Sequence, residues 1–274
     1  MATADRVRIG TSGFSFRDWK GPFYPENIKQ AGMLEYYANY FDVVEINATY
    51  YRIPAAGAFA DMARRTDAGF GFVVKLHQTM THGREGDLQP FADFTAALRP
   101  LEESGRLIGL LAQFPASFGR SEDNLSYLGW LRLKLGRYRL FAEFRHVSWL
   151  RDEIFGRLRE LDIGWCNVDE PQLEGLLPPT AAATGDTAYV RFHGRNDIDW
   201  RRPRPGSDRY LYDYTDRELL EWAPKIEALA SQCGQTLLFF NNCHFGNAPK
   251  NAKTMKKLLG IPETRGRRRG ELPL

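Results

Sequence analysis

The stretch Phe141-Ala-Glu-Phe-Arg-His-Val-Ser-Trp149 alternates apolar and polar residues and then turns polar. This alternation is typical of a buried β-strand, and it places Glu143 and Arg145 on the same side, because side chains two residues apart point the same way. Two opposite charges there must pair, be hydrated or contact a ligand, since an isolated buried charge is too costly. The end of this strand is therefore a candidate site.

Apolar runs of strand length recur along the chain, and an amphipathic helical pattern follows most of them. The predicted strands are Val7–Gly10, Val43–Asn47, Phe70–His77, Leu107–Phe114, Leu140–Arg145, Gly164–Asp169, Ala188–His193 and Leu237–Asn241. The predicted helices are Ala31–Phe41, Ala55–Arg65, Phe91–Glu103, Glu122–Leu133, Arg151–Leu161, Arg217–Gln232 and Ala248–Leu259. About eight such units in roughly 250 residues predict an α/β fold with a single (β/α)8 barrel of the TIM type. An open doubly wound sheet is the alternative.

The sixth unit departs from this pattern. The segment from Glu170 to Asp186 is rich in proline and small residues, so we expect an irregular crossover there in place of a helix. No linker or internal repeat divides the chain, which predicts one domain over residues 1–264. Residues 265–274 form a basic tail, including Arg265-Gly-Arg-Arg-Arg269, that we expect to be mobile.

The composition fits a globular protein without an obvious targeting signal. The chain has 274 residues, is 43% hydrophobic and carries a net charge of +3, which permits polyanion binding without requiring it. The three cysteines, Cys166, Cys233 and Cys243, show no C-x-x-C spacing, so we expect reduced thiols in a cytoplasmic protein. No apolar run approaches the ~18 residues of a spanning helix, and we expect no membrane partner.

Polar residues recur at i, i+2 spacing near the ends of the predicted strands. The pairs are Glu45 and Asn47, Lys75 and His77, Glu143 and Arg145, Asn167 and Asp169, and Arg191 and His193, while Asn241 and Asn242 close the last strand. In a parallel barrel the carboxyl ends of the strands build the active site, and residues of one parity point inward. The pattern predicts an active-site rim there, although a satisfied ion pair is the alternative for each pair.

Several motifs distributed over nearly the whole chain carry a family resemblance. They are Gly10-Thr-Ser-Gly13, Trp19-Lys-Gly-Pro-Phe-Tyr-Pro25, Leu34-Glu-Tyr-Tyr-Ala38, Val44-Glu-Ile-Asn-Ala-Thr-Tyr-Tyr-Arg52, Lys75 with Thr81-His82, Glu143-Phe-Arg-His-Val-Ser-Trp149, Tyr189-Val-Arg-Phe-His-Gly-Arg195, and Phe240-Asn-Asn242 with Gly246 and Asn251-Ala252. Together they resemble the YecE-like family (domain of unknown function 72). The resemblance implies a TIM barrel but no defined activity; a likeness to endonuclease-IV-like and xylose-isomerase-like enzymes suggests nucleic-acid or sugar chemistry by analogy. The family tends to have Trp and Tyr where this chain has Phe14 and Phe16.

The candidate site combines cationic, aromatic and small residues. Arg145, Arg191, Arg195 and Lys75 suit a phosphate or carboxylate, because guanidinium groups bind such anions bidentately. Tyr50, Tyr51, Trp149 and Trp200 offer flat apolar faces for a base or a sugar ring. The turn Gly10–Gly13 has the small residues that let backbone N–H groups approach an anion, and a tight turn is its alternative interpretation.

We assign roles to these residues as hypotheses. The catalytic candidates are Glu143 and His193, as acid or base, with Asp169 and Glu45. The substrate-binding candidates are Thr11, Ser12, Asn47, Tyr50, Lys75, His77, Arg145, His146, Trp149, Arg191, Arg195, Asn241 and Asn242. We expect no cofactor and no metal ligand; one divalent metal is a secondary hypothesis, because the arginines would repel a cation.

Two functions from different classes follow. The first is an enzyme of hydrolase, lyase or isomerase type that acts on an anionic small molecule, such as a phosphate ester or a sugar acid. The alternative is a nucleic-acid-binding protein, or an endonuclease-IV-like metal-dependent phosphodiesterase, that contacts phosphates through the rim arginines and the basic tail.

Overall fold

The computed structural model describes residues 3–84, 86–201 and 208–262. The strands are β1 Val7–Thr11, β2 Val43–Ile46, β3 Gly71–Lys75, β4 Leu107–Gln113, β5 Leu140–Glu143, β6 Ile163–Asp169, β7 Thr187–Phe192 and β8 Gln235–Phe240. The helices are α1 Thr3–Arg6, α2 Met33–Ala38, α3 Ala56–Arg64, α4 Gln89–Glu103, α5 Glu122–Lys134, α6 Asp152–Glu160, α7 Asp197–Arg201, α8 Asp216–Leu220, α9 Ala223–Gln232 and α10 Asn247–Leu258. The order of elements alternates strand and helix as the sequence predicts.

The strands form one parallel sheet that curves into a nearly closed barrel. Its order is β1-β8-β7-β6-β5-β4-β3-β2, so β8 pairs with β1. The remaining gap, between β1 and β2, is bridged where Ser12 meets Glu45 and the amide of Gly13 donates to the Glu45 carbonyl at 2.8 Å. The predicted TIM-type barrel is therefore confirmed, and the open sheet is excluded.

The observed helices between the strands differ from the predicted ones mainly after β7. No helix lies between β6 and β7, over residues 170–186, as predicted. The predicted helix Arg217–Gln232 is instead two helices, α8 and α9, that break at Trp222. Pro224 stands in the first turn of α9, where its missing N–H is tolerated, whereas inside a continuous helix it would remove a hydrogen bond.

A layer of aromatic rings fills the interior of the barrel. The Phe141 and Tyr189 ring centres are 4.6 Å apart, and Phe239 lies 5.1 Å from Tyr189. Gly109 and Gly164 make room for Phe141: a β-carbon at these positions would lie 2.9 Å and 2.5 Å from its ring atoms. This aromatic floor closes the interior below the carboxyl ends of the strands.

The predicted basic tail at residues 265–274 and the predicted domain end at residue 264 lie outside the described residues. The nucleic-acid hypothesis depends in part on that tail and stays a prediction. Within the described ranges, none of the helices has the length and apolar character needed to cross a membrane.

Candidate functional site

A network of buried charges, the inner network, lies two residues further along the strands than the aromatic floor. Its centre is Arg191, which donates from Nη1 to Glu143 Oε2 at 2.6 Å and from Nη2 to Glu45 Oε1 at 2.7 Å. The hydroxyl of Tyr189 donates to the other oxygen of Glu45 at 2.5 Å. Both carboxylates and Arg191 are almost completely excluded from solvent. The two carboxylates form the base of the candidate site and do not line it, whereas Arg191 also borders one of the cavities described below.

Arg145 connects this base to a third carboxylate. Its guanidinium lies 2.7 Å from Glu143 Oε1 and 2.6 Å from Glu170 Oε2. Burial opposes the ionisation of Glu143, but Arg145 and Arg191 outweigh burial and hold the pKa of its carboxyl well below the usual range. Glu143 therefore stays an anion that positions two arginines. The structure does not support the acid or base role predicted for it.

The surroundings of His193 also hold it in one protonation state. Asn241 Nδ2 lies 3.1 Å from its Nδ1, and Glu143 Oε1 and Arg145 Nη2 each lie 3.2 Å from its Nε2. Burial, and then the charge of Arg145, lowers the pKa of His193 to about 3, so the ring is neutral at physiological pH. The ring is fully buried. These contacts let the ring hold Glu143 and Arg145 in place, while its predicted catalytic role stays a prediction.

A second network, the outer network, surrounds Asp169. Oδ1 of Asp169 accepts from the Tyr214 hydroxyl at 2.6 Å, and Oδ2 accepts from Trp222 Nε1 at 2.6 Å and from Arg195 Nη2 at 2.7 Å. Asn167, two residues earlier, hydrogen-bonds to the β6–β7 crossover, at Ala182. These residues therefore face away from the barrel interior. The polar groups of Asp169 and Arg195 bind one another and neither residue lines the cavities described below, so the predicted catalytic role of Asp169 and the predicted substrate-binding role of Arg195 stay predictions.

The turn after β1 is not available to an anion. The backbone amides of residues 11–13 donate at 2.8–2.9 Å to the Tyr37 hydroxyl and to the carbonyls of Phe240 and Glu45. The hydroxyl of Thr11 also lies 3.0 Å from that of Tyr37. Every N–H expected to contact an anion already has a protein acceptor. The amides of this turn are occupied, and the substrate-binding role predicted for Thr11 stays a prediction, while Ser12 lies at the wall of a cavity described below.

Two residues of the predicted site serve packing. Trp149 is fully buried, its ring centre lies 4.3 Å from that of Phe144, and its Nε1 donates to the Phe118 carbonyl at 2.6 Å. Asn242 donates to the Tyr212 carbonyl at 2.8 Å and is fully buried. Trp149 and Asn242 line neither of the cavities described below, and their predicted substrate-binding roles stay predictions.

Two predicted histidines turn away from the cavities. The Nδ1 atom of His77 lies 2.9 Å from the Thr79 hydroxyl, and that of His146 lies 2.7 Å from the Ser148 hydroxyl. Both contacts close tight turns after the strands, since β3 ends at Lys75 and β5 ends at Glu143. Neither ring lines the two cavities described next.

Two adjoining cavities open at the carboxyl ends of the strands. The first, the Arg145 cavity, has a volume of about 720 Å³, and the second, the Lys75 cavity, about 620 Å³. The Arg145 cavity is lined by His82, Gln113, Arg145, Gln172, Trp200, Arg209 and Tyr210, among others. The Lys75 cavity is lined by Ser12, Asn47, Tyr50, Lys75, Gln113, Arg191, Tyr210 and Asn241, among others. Gln113 and Tyr210 belong to both walls, so the cavities are neighbours.

The Arg145 cavity contains hydrogen-bond donors without acceptors. The guanidinium carbons of Arg145 and Arg209 lie 5.1 Å and 4.9 Å from the Trp200 ring centre. Nε1 of Trp200 and Nε of Arg209 are buried and have no acceptor among the described residues. Buried donors are nearly always paired, so these atoms indicate a place where acceptor oxygens of a ligand fit.

The Lys75 cavity contains a partly buried amine. Nζ of Lys75 donates to Gln113 Oε1 at 2.8 Å and lies 4.5 Å from the Tyr50 ring centre. Burial, and then the nearby charge of Arg191, lowers the pKa of Lys75 to about 7. A substantial fraction of the amine is therefore neutral near pH 7, which is typical of a reactive group and unusual for a structural lysine.

Glu170, which the sequence analysis missed, contacts the cavity residue Arg145 but lines neither cavity itself. Its carboxyl is buried, and burial raises its pKa to about 7 against the opposing charge of Arg145. Cys166, whose Sγ lies 3.8 Å from Glu143 Oε2, faces inward, so Glu170 has the inward parity. That parity is the signal that could have identified it. Gln113, the last residue of β4, was also missed, although it lies next to the end of the predicted strand Leu107–Phe114.

The other missed residues, Arg209 and Tyr210, lie in the long segment after β7, where no periodic pattern indicates an orientation.

The arrangement of possible metal ligands is a separate feature of the structure. Within the part of the chain that is described, no three or more His, Cys, Asp or Glu side chains are grouped so as to hold a metal ion.

Comparison with known proteins gives one family. A family model described as protein of unknown function DUF72 matches residues 8–272. The UPF0759 protein YunF of Bacillus subtilis is 32% identical over 93% of this chain and 95% of its own length. A DUF72 family protein from Thermotoga maritima is 43% identical, with a TM-score of 0.86 over 93% of this chain and 99% of that one. Another, from Enterococcus faecalis, is 26% identical, with a TM-score of 0.81 over 93% and 96%. The chain belongs to the DUF72 family.

Proposed function

We propose that the protein is an enzyme that binds an anionic small molecule, a phosphate ester or a sugar acid, in the Arg145 cavity. The observation that carries this proposal is the set of donors there that lack acceptors, Trp200 Nε1 and Arg209 Nε. Oxygen-rich anions are the ligands that satisfy several such donors at once. A location at the carboxyl ends of barrel strands is where enzymes of this fold place their substrates.

The charges in the cavity favour an anion. Arg209 forms no ion pair with a carboxylate of the described residues and lies on the Trp200 ring, which positions the guanidinium without neutralising it. Burial lowers the pKa of His82 to about 4, so that ring adds no charge at neutral pH but can still donate or accept a hydrogen bond. The Trp200 ring also offers an edge to a flat or cyclic part of the ligand.

Glu170 is the group that we assign to proton transfer. Its carboxyl contacts Arg145, a wall residue, at 2.6 Å, and its pKa of about 7 lies at the working pH, where a general acid or base is most effective. A phosphate or carboxylate that binds Arg145 would compete with Glu170 for the guanidinium. This competition would change the proton affinity of the Glu170 carboxyl. Acid–base chemistry of hydrolase, lyase or isomerase type is therefore the reaction class that we propose.

Binding is tested by titration calorimetry with inorganic phosphate and with a sugar phosphate at low salt. We expect Arg209→Gln to weaken binding by about tenfold or more, since a hydrogen bond to a charged group contributes roughly 1.5–3 kcal/mol. Trp200→Phe, which keeps the ring and removes only the N–H, should weaken it less. Arg159→Gln, on the exposed face of α6, is the matched control. Equal affinity in all four proteins, or no binding to any, would contradict the proposal.

Catalysis is tested separately, with a panel of phosphate esters and sugar acids. We expect Glu170→Gln to abolish turnover while phosphate still binds, because the amide keeps the shape of the side chain but cannot exchange a proton at neutral pH. Turnover that survives this substitution would remove Glu170 from the mechanism.

A further inference from the structure

Lys75 occupies a position that a structural lysine rarely has. It is the last residue of β3, and its amine faces the Lys75 cavity beside Asn47 and Tyr50. Its hydrogen bond goes to a neutral amide oxygen, that of Gln113, and it forms no ion pair with a carboxylate of the described residues. A lysine that stabilised the fold by charge would be expected to pair with an acid.

The acids that could pair with it are already engaged. Glu45 and Glu143 both bind Arg191, at 2.7 and 2.6 Å, and Glu143 also contacts Arg145. Their negative charge favours the ammonium form of Lys75, but burial and the charges of Arg191 and Arg145 oppose it and prevail. The result is an amine with a substantial neutral fraction at the wall of a cavity of about 620 Å³.

We propose that Lys75 is a nucleophile that forms an imine with the carbonyl group of the substrate, which is then an aldehyde or ketone bearing an anionic group. This inference rests on the proposed function, because the Arg145 cavity would hold the anionic group. Gln113 and Tyr210 border both cavities, so a ligand that spans the two would bring its carbonyl group into the cavity that Lys75 lines. Nζ donates a hydrogen bond to Gln113 Oε1, and this bond does not use the lone pair of the neutral amine.

The proposed step is balanced by water alone. The lone pair of neutral Nζ attacks the carbonyl carbon, the C–N bond forms, and the π electrons move to the oxygen, which takes up a proton as the nitrogen loses one. The resulting carbinolamine then loses its hydroxyl group with a proton, as water, and the C=N bond forms. No group is oxidised or reduced, and the imine attracts electrons from the neighbouring carbon, as imine-forming lysines do.

The imine is tested by reductive trapping of the full-length protein at pH 7. The protein is treated with glyoxylate and cyanoborohydride, and modified lysines are located by peptide mass spectrometry. An exposed lysine with a reference pKa near 10.4 is neutral about a thousandth of the time at pH 7, so we expect Lys75 to react at least tenfold faster. Lys134, exposed on α5, is the internal control.

Lys75→Arg, which keeps a positive charge, should lose this fast modification while Lys134 still reacts. Labelling of Lys75 no faster than Lys134 in the wild-type protein would overturn the inference, whether or not the variant folds.

Labelling with a neutral aldehyde tests the imine independently of the proposed anion site. Glycolaldehyde carries no charge, so faster labelling of Lys75 by glyoxylate than by glycolaldehyde supports both proposals. Equal labelling by the two aldehydes supports the imine and counts against the anion site. Phosphate binding at the Arg145 cavity without labelling by either aldehyde overturns the imine alone.

Discussion

The inner and outer networks are built from the same groups but differ in what they face. In each, arginine binds a buried carboxylate: Arg191 binds Glu143 in the inner network, and Arg195 binds Asp169 in the outer one. The outer network is enclosed by Tyr214 and Trp222, whose polar hydrogens are both donated to Asp169. The inner network borders two cavities. A buried ion pair at a strand end therefore indicates a site only when its side of the strand faces the barrel interior.

Asp169→Ala should produce the largest loss of stability. It leaves Arg195, Tyr214 and Trp222 without their shared acceptor, and removal of one partner from a buried charged network costs about 3–5 kcal/mol. We expect a loss near the middle of that range, about 4 kcal/mol, in urea unfolding. Asp93→Ala, exposed on α4, is the matched control and should cost little. A loss below 1 kcal/mol would mean that the outer network does not hold β6 to α9.

Glu143→Gln should destabilise the protein by about 3 kcal/mol, at the low end of the same range, since the amide oxygen still accepts one hydrogen bond. Phosphate binding in the calorimeter should not weaken, because the change makes the neighbourhood of Arg145 more positive. Lower stability with unchanged phosphate affinity would show that Glu143 supports the site without contacting the ligand. A weaker phosphate affinity in a variant that remains folded would place Glu143 in direct contact with the ligand.

Glu170 should make stability depend on pH in a recognisable window. Its folded pKa of about 7 exceeds the ordinary value of 4.5, so between these pH values the unfolded chain ionises first and binds fewer protons. The contribution of Glu170 to the free energy of unfolding should therefore fall as pH rises from 4.5 to 7, by on the order of 2–3 kcal/mol. The lowered pKa values of His82 and His193 act in the opposite direction, so denaturation across this range should show the fall as a loss of wild-type stability relative to Glu170→Gln. Glu174→Gln, exposed nearby, should behave as the wild type.

Arg195→Lys should have the smallest effect, about 1 kcal/mol, because lysine keeps the charge and loses the two-point contact with Asp169. Phosphate affinity should not change, since Arg195 lines neither cavity. Thermal unfolding and calorimetry on the same sample test both parts. A phosphate affinity that falls with this substitution would show that the two networks are coupled.

The sequence predicts the barrel well because alternating strands and helices leave few other architectures. It also identifies Glu45, Glu143 and Arg191 as neighbours, since three strands carry charges at their ends. It fails at β6, where the polar residues Asn167 and Asp169 lie on the outward face and the inward face carries small and apolar residues, so the pattern points to Asp169 and not to Glu170. Arg209 and Tyr210 come from a segment whose path depends on tertiary contacts, which no local pattern encodes.

The aromatic floor of Phe141, Tyr189 and Phe239 affects how a ligand can enter and leave the cavities. Because the barrel is filled beneath them, both cavities lie on the carboxyl side of the floor, so the proposed substrate would enter and its product would leave on that side. We expect any product that retains the anionic group to inhibit turnover competitively, and the rate of its departure to limit how fast the next substrate is bound.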